Sequence, residues 1–217
     1  MPPDAPPPID PTAVGLRTPA AQHEQSETIG RSVEAPHLAG SPAAEFAELM
    51  AGTGVQCALI GGYAVNAWVR PRLTDDFDFI VLGGRAAIER AEQQLTALGF
   101  SYVRKHDERG PSGPEFVKMR HSERALEIDL QVAKTDYQVL VVQRALAVVG
   151  TSLRVATPED LIVLKLIAGR SKDNDDLRRL GCLEEINWAY VAEHGAEWGV
   201  EARLADLKAM IASETNR

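Results

Sequence analysis

The stretch Leu59 to Leu82, LIGGYAVNAWVRPRLTDDFDFIVL, constrains this chain more than any other part of it. A short apolar run from Cys57 to Ile60 reads as a buried strand, and Gly61-Gly62 then turns the chain into an amphipathic helical stretch from Tyr63 to about Val69. After a turn at Arg70-Pro71-Arg72 comes Asp76-Phe77-Asp78-Phe79-Ile80-Val81. Strict alternation there predicts a strand with two carboxylates on one face and two aromatics on the other. Aspartates at i and i+2 lie roughly 6–7 Å apart along a strand. Side chains converging from that spacing can share divalent cations, which sit about 3.5–4 Å apart in two-metal sites. An Asp-x-Asp can equally be the wet face of an edge strand. Asp is nevertheless depleted in strands, and two of them in an apolar strand behind a Gly-Gly turn make a more specific combination.

The length of 217 residues suffices for one good core, or for one domain plus a tail. Hydrophobic content of 45% and charged content of 25% are ordinary for a globular chain, and no apolar run approaches the span of a bilayer. The first residues lack the basic-then-apolar pattern of a secretory signal. The net charge of −8 gives no sign of a surface that coats nucleic acid, though a local basic patch is compatible with it. Two distant cysteines, Cys57 and Cys182, make neither a disulfide framework nor a zinc ligand set, which fits a reducing cytoplasm.

The first 45 residues hold nine of the thirteen prolines, and residues 1–42 are expected to form a disordered Pro-rich tail. A folded core is then expected over 43–155, and a helical subdomain that closes its cleft over 156–217. Ser41-Pro42 opens a first helix with Phe46, Leu49 and Met50 on its apolar face. Residues 85–98 repeat with helical spacing up to Gly99. Phe100–Val103 and Phe116–Arg120 read as short strands around a polar, mobile loop at 105–115. In Leu126–Val132 the apolar side chains take one face and Glu127, Asp129 and Gln131 the other, the pattern of an amphipathic strand. Residues 136–149 look helical. Thr157-Pro158-Glu159-Asp160 starts a helix, LIVLKLIAG, that is apolar on nearly every side except at Lys165. That lysine either snorkels past its neighbours or is buried and needs an anionic partner. From Leu177 the helix is expected to run on to His194, with a last amphipathic helix beyond Gly199. Trp188, Tyr190, Trp198, Leu204, Leu207 and Ile211 are expected to pack together.

GG-x-A-V at 61–65 followed by R-x-T-x-D-x-D at 72–78 resembles the signature of the polymerase-β-like nucleotidyltransferase superfamily. The nearer likeness is to minimal and AbiEii-type nucleotidyltransferases of bacterial toxin–antitoxin and phage-defence systems, and it covers roughly residues 46 to 180. The resemblance implies an α/β (α+β) fold, a mixed sheet flanked by helices. It also implies transfer of an NMP from an NTP such as ATP to an acceptor hydroxyl, with two Mg²⁺ ions held by Asp76, Asp78 and Asp129. In AbiEii-type proteins a lysine on an apolar helix is followed by R-x-x-K-D-x-x-D-L. Lys165 matches that lysine, and Arg170, Lys172, Asp173 and Asp176 match within R-S-K-D-N-D-D-L, shorter by one residue between its Arg and Lys. Lys165 is thereby expected to contact the triphosphate, and Gly61, Gly62, Arg72, Thr74, Arg170, Asp173 and Asp176 to line the nucleotide site. Whether Asp173 or Asp176 is the functional acid stays open, since acids at a helix start are also good capping.

This sequence departs from the superfamily in having Gly-Gly rather than Gly-Ser, so Tyr63, Thr74 or a backbone N–H must replace the serine hydroxyl. The acceptor is unmarked. A tRNA end, a partner protein or a small molecule such as an aminoglycoside all fit, as does a non-catalytic subunit that neutralises a cognate toxin.

Overall fold

Alternation on the strand that carries the two aspartates is what organises the sheet. In the computed structural model, which describes residues 32–106 and 115–215, Asp76–Leu82 forms β3. Its Phe77, Phe79 and Val81 are buried and its Asp76 and Asp78 only half so. The chain reaches it through β1 (Ser32–Val33), α1 (Pro42–Ala51), β2 (Gln56–Ile60) and α2 (Gly61–Asn66). Ser41 caps α1 by accepting from Ala44 N, and Phe46 packs on Phe79 with ring centroids 4.3 Å apart. The helix α1 therefore covers the aromatic face of β3 and leaves the carboxylate face free for other partners.

Beyond β3 follow α3 (Arg85–Ala97), β4 (Phe100–His106), β5 (Phe116–His121), β6 (Leu126–Val132), α4 (Asp136–Arg144), β7 (Leu146–Val148) and β8 (Arg154–Val155). The eight strands found among the described residues form one mixed sheet in the order β1-β7-β8-β2-β3-β6-β5-β4. In it β3 lies antiparallel to β2 and parallel to β6. Leu126, Ile128, Leu130 and Val132 of β6 are buried, while Glu127, Asp129 and Gln131 face the other way. The expected mixed α/β sheet flanked by helices is the fold observed.

The remaining chain is helical: α5 (Pro158–Ala168), a single 3₁₀ turn (Ser171–Asp173), α6 (Asn174–Gly181), α7 (Trp188–Ala196) and α8 (Glu201–Thr215). These helices share one apolar core with the sheet. A buried polar knot ties them to α4. Tyr190 donates to Asp160 Oδ1 at 2.5 Å, Thr157 to Asp160 Oδ2 at 2.8 Å, and Arg144 Nε to Asp160 Oδ2 at 3.3 Å. Satisfying that carboxylate from three elements is what makes its complete burial tolerable.

Several sequence expectations need correction. Residues 32–41 are not part of a tail: β1 pairs with β7, and Val33, Ala35 and Leu38 are buried. Residues 1–31, the remainder of the expected tail, lie outside the described residues, as do 107–114 of the expected mobile loop. The helix after β2 begins at Gly61 and ends at Asn66 rather than near Val69. Asn66 exchanges two hydrogen bonds with the Arg72 backbone, at 2.8 and 3.0 Å, which closes a turn and leaves no room for further helix. Helix α4 stops at Arg144, and Leu146–Val148 joins the sheet because it pairs on both sides, with β1 and β8. The continuous helix expected through residue 194 breaks at 182–187. There Asn187 restarts it by accepting from Tyr190 N. In the C-terminal cluster Tyr190, Leu204 and Leu207 are buried as expected, whereas Trp198, 37% exposed, is not part of the core.

Candidate active site

The carboxylates are brought together by strand register. Parallel pairing of β3 with β6 sets Asp78 directly beside Asp129 and Asp76 beside Glu127. Four carboxyl groups thus share one face of two adjacent strands. Burial, followed by the negative charges of Asp129 and Asp76, pushes the Asp78 carboxyl up to about 6, against the weaker pull of Arg170 and Lys165. The Asp129 carboxyl is also raised by burial, although Lys118 opposes this.

The Gly-Gly turn is required by this cluster. Gly61 has φ +68°, and a Cβ there would fall 2.0 Å from Asp78 Oδ2. A Cβ on Gly62 would lie 2.7 Å from Thr74 Oγ1 and 3.2 Å from an Arg72 guanidinium nitrogen. Glycine is needed at both positions so that the Asp78, Thr74 and Arg72 side chains can approach the backbone. Of the groups expected to replace the missing serine hydroxyl, Thr74 stands beside the glycines. Tyr63 does not face the carboxylates, because its ring is stacked on Phe77 at 4.0 Å.

Lys165 is buried, 5% exposed, as the uniformly apolar helix implies. Its anionic partners in the structure are protein carboxylates: Nζ donates to Asp173 Oδ1 at 2.9 Å and to Asp176 Oδ2 at 2.8 Å. Arg72 binds Asp176 through two nitrogens at 2.7 and 2.6 Å, and Arg170 Nε donates to Asp173 at 2.7 Å. Three cations and two anions leave this network with one net positive charge. Burial alone would raise both aspartates, but hydrogen bonds from Arg72 and Lys165 hold Asp176 below the usual carboxylate range. Those from Arg170 and Lys165 do the same for Asp173. The two acids that the sequence leaves as alternatives are therefore partners in one network. A cavity of about 340 Å³ adjoins it, lined among others by Lys165, Arg170, Ser171, Asn174, Arg203 and Met210.

One residue of this face carries no signal in the motif. Lys118 of β5 pairs in register with Asp129, and its Nζ lies 2.8 Å from Glu127 Oε2, 3.2 Å from Asp129 Oδ1 and 3.6 Å from Asp76 Oδ2. Burial would lower its pKa, but Glu127 and Asp129 hold the ammonium well above its ordinary value. Alternation in Phe116–Arg120 could have marked it, since buried Val117 and Met119 flank it and turn it toward the carboxylates.

The donor chemistry suits a hard divalent cation. The ligands would be carboxylate oxygens, and Asp129 Oδ1, out of contact with solvent, accepts no hydrogen bond. Lys118 Nζ is near enough to that oxygen but poorly aligned with it. As placed, however, no three His, Cys, Asp or Glu side chains among the described residues converge enough to hold an ion together.

Comparison with known proteins identifies the family. The family model described as nucleotidyl transferase AbiEii toxin, type IV toxin–antitoxin system, matches residues 49–179. No curated protein matches the sequence. Similar solved structures include the antibiotic-resistance factor ANT(2'')-Ia (15% identity, 77% of this chain and 95% of that one, TM-score 0.49). Others are JHP933 from Helicobacter pylori (15%, 84% and 97%, 0.43) and an antigenic nucleotidyltransferase-like protein from Paracoccidioides brasiliensis (19%, 64% and 71%, 0.42). With every one of these TM-scores below 0.5, the assignment rests on the family match, which spans well over half of the chain and includes all the residues of the carboxylate face and of the Lys165 network. The chain belongs to the AbiEii family of nucleotidyltransferases.

Proposed function

We propose that this enzyme moves an NMP from an NTP to the hydroxyl of a macromolecular acceptor, an RNA end or a partner protein, as a component of a toxin–antitoxin pair in the cytoplasm. The observation that carries this reading is the register that sets Asp78 beside Asp129 with Asp76 on the same strand face. Asp76, Asp78 and Asp129 would hold Mg²⁺, which when bound neutralises phosphate charge and acidifies an acceptor hydroxyl. The protein's own part is positioning and electrostatics, the main demands of phosphoryl-group chemistry. Asp129 takes the proton of the acceptor hydroxyl as its oxygen bonds to the α-phosphorus. The bond from that phosphorus to the bridging oxygen breaks, and pyrophosphate leaves.

Gly61 and Gly62 keep side-chain bulk away from the phosphates, and Thr74 offers a hydroxyl beside them. Arg170, whose side chain is 54% exposed, and Arg72 supply donors at the rim. Lys165 is already hydrogen-bonded to Asp173 and Asp176, so its contribution is a fixed field on the phosphates rather than a free donor. The nucleoside fits the cavity beside Lys165 and Arg170, which α8 closes through Arg203 and Met210. A small-molecule acceptor such as an aminoglycoside is the second reading, favoured by the acidic total charge of −8, which suits extended RNA contact poorly.

The test is label transfer from each α-labelled NTP, with Mg²⁺, to tRNA, to a cognate partner protein and to aminoglycosides. Label should enter one macromolecular acceptor and be lost in a folded Asp76→Ala, Asp78→Ala double variant. Labelling of aminoglycoside alone would move the assignment to the second reading. No transfer to any acceptor from any NTP would overturn both.

A further inference from the structure

Two sets of cationic groups bear on the carboxylates. Lys165 and Arg170 act on Asp78, whereas Lys118 acts on Asp129 and Asp76 and touches Glu127. The side chain of Lys118 is 21% exposed and rises from the middle of β5, a strand paired along its length with both β4 and β6. The register places its backbone opposite Asp129, one strand beyond the Asp78–Asp129 pair. Its ammonium stands among three carboxylates that the sheet would otherwise leave facing one another.

That position explains a tension within the site. Strand register brings the acids side by side, yet no three of them among the described residues stand close enough together to hold an ion. A lysine ammonium is a compact point charge on a flexible stem, and here it fills the space toward which Asp76, Glu127 and Asp129 turn. An ion that bridged Asp76 and Asp129 would have to displace it against three carboxylates.

We propose that Lys118 is the acceptor-side cation of this site: its ammonium takes the place of a second divalent ion between Asp76 and Asp129, leaving a single ion position on the Asp78 side. The inference deepens the proposed nucleotidyl transfer and rests on it. It replaces the two ions implied by resemblance with one ion and one tethered charge. Lys118 is then a positioning residue, acting through Asp129 and Asp76.

The experiment counts ions rather than turnover. The full chain is titrated with Mn²⁺, the free ion being measured by electron paramagnetic resonance. The expected result is one bound Mn²⁺ for wild type, two for Lys118→Met, and one again for Lys118→Arg, which restores the charge. Circular dichroism checks that each variant is folded, and Lys118→Gln replaces Lys118→Met should the latter not fold. Two ions in wild type, or no gain on removing the charge, would overturn the proposal. Two ions in a wild type that still transfers label would remove Lys118 from this role and leave the nucleotidyl transfer intact. One ion rising to two, in a protein that labels no acceptor, would do the reverse. Absence of Mn²⁺ from both proteins would overturn the single-ion proposal, and label transfer would still decide the nucleotidyl transfer.

Discussion

Lys165 lies between two carboxylates that are themselves nearly inaccessible; Asp176 is 1% exposed. Replacing it by Met keeps the stem's packing but leaves Asp173 and Asp176 each with one arginine instead of two cations. Breaking a buried ionic network from one side is costly, because the charges left behind lose their compensation. Lys165→Met is therefore expected to lower stability at neutral pH by about 3 kcal/mol, measured by urea unfolding. The pH dependence has a definite sign. Both aspartates are held below their usual range in the folded protein, so their contribution is present above the unfolded-state pKa and lost as pH falls through the folded one. The gap between wild type and variant should be widest at pH 7 and shrink below about pH 4; a gap that widens in acid would contradict the network. At this scale the sequence was informative about residue types and silent about partners. The apolar surroundings of Lys165 made burial one of two readings, but only the fold brings Asp176 back onto it together with Arg72, 104 positions from that aspartate in the chain. Lys118 escaped notice because a single lysine in a five-residue alternating run looks like any wet strand position.

Among the elements, those with a full repeat were the legible ones. β6 alternates over all seven of its residues and β3 over Asp76–Phe79, and α1 and α5 each have a Ser or Thr cap followed by Pro. β1 and β7, with two and three residues, have no repeat to read. They are strands because they pair with each other, and that pairing joins segments more than 110 residues apart. The chain leading from β1 into α1 is consequently part of the body. Leu38 is wholly buried, and Leu38→Ala should cost about 3 kcal/mol. That corresponds to roughly 6–12 °C in Tm for a chain of this size. Calorimetry of this variant beside wild type checks it, and an unchanged Tm would mean that residues 32–41 are dispensable to the fold.

For the molecule as a whole, the division of labour follows from one sheet with two differently clothed faces. The aromatic face of β3 lies under α1, and the carboxylate face is left to β5, β6 and the network that Lys165 builds. The helices beyond residue 156 share a common core with that sheet, and the Trp68 indole, just after α2, donates to Ala156 O, just ahead of α5, at 2.9 Å. No helix among the described residues is long and apolar enough to cross a membrane. The family likeness could be read from sequence because its motifs are contiguous. The sequence led to the expectation that the helices of 156–217 close the cleft, but not that α8 lines the cavity with Arg203 and Met210, which depends on how a last helix with unremarkable spacing docks.

Strand β2 runs straight into Gly61, and it carries a thiol whose reactivity has been switched off. Cys57 is buried, and burial pushes its thiol up to about 12 against a smaller opposing effect of Arg154. At pH 8 roughly one part in 10⁴ is thiolate, the reactive form. Cys182 is exposed. The native protein thus carries a paired clock and reference. A disulfide reagent should titrate Cys182 in a fast phase and Cys57 in a slow phase of equal amplitude, limited by the opening of β2. The NTP that supports transfer, with its metal, should lengthen only the slow phase, because a ligand that binds the closed state makes opening rarer. A single phase for both thiols would show that β2 is not held shut, while two phases would let occupancy of the site be timed without any acceptor being known.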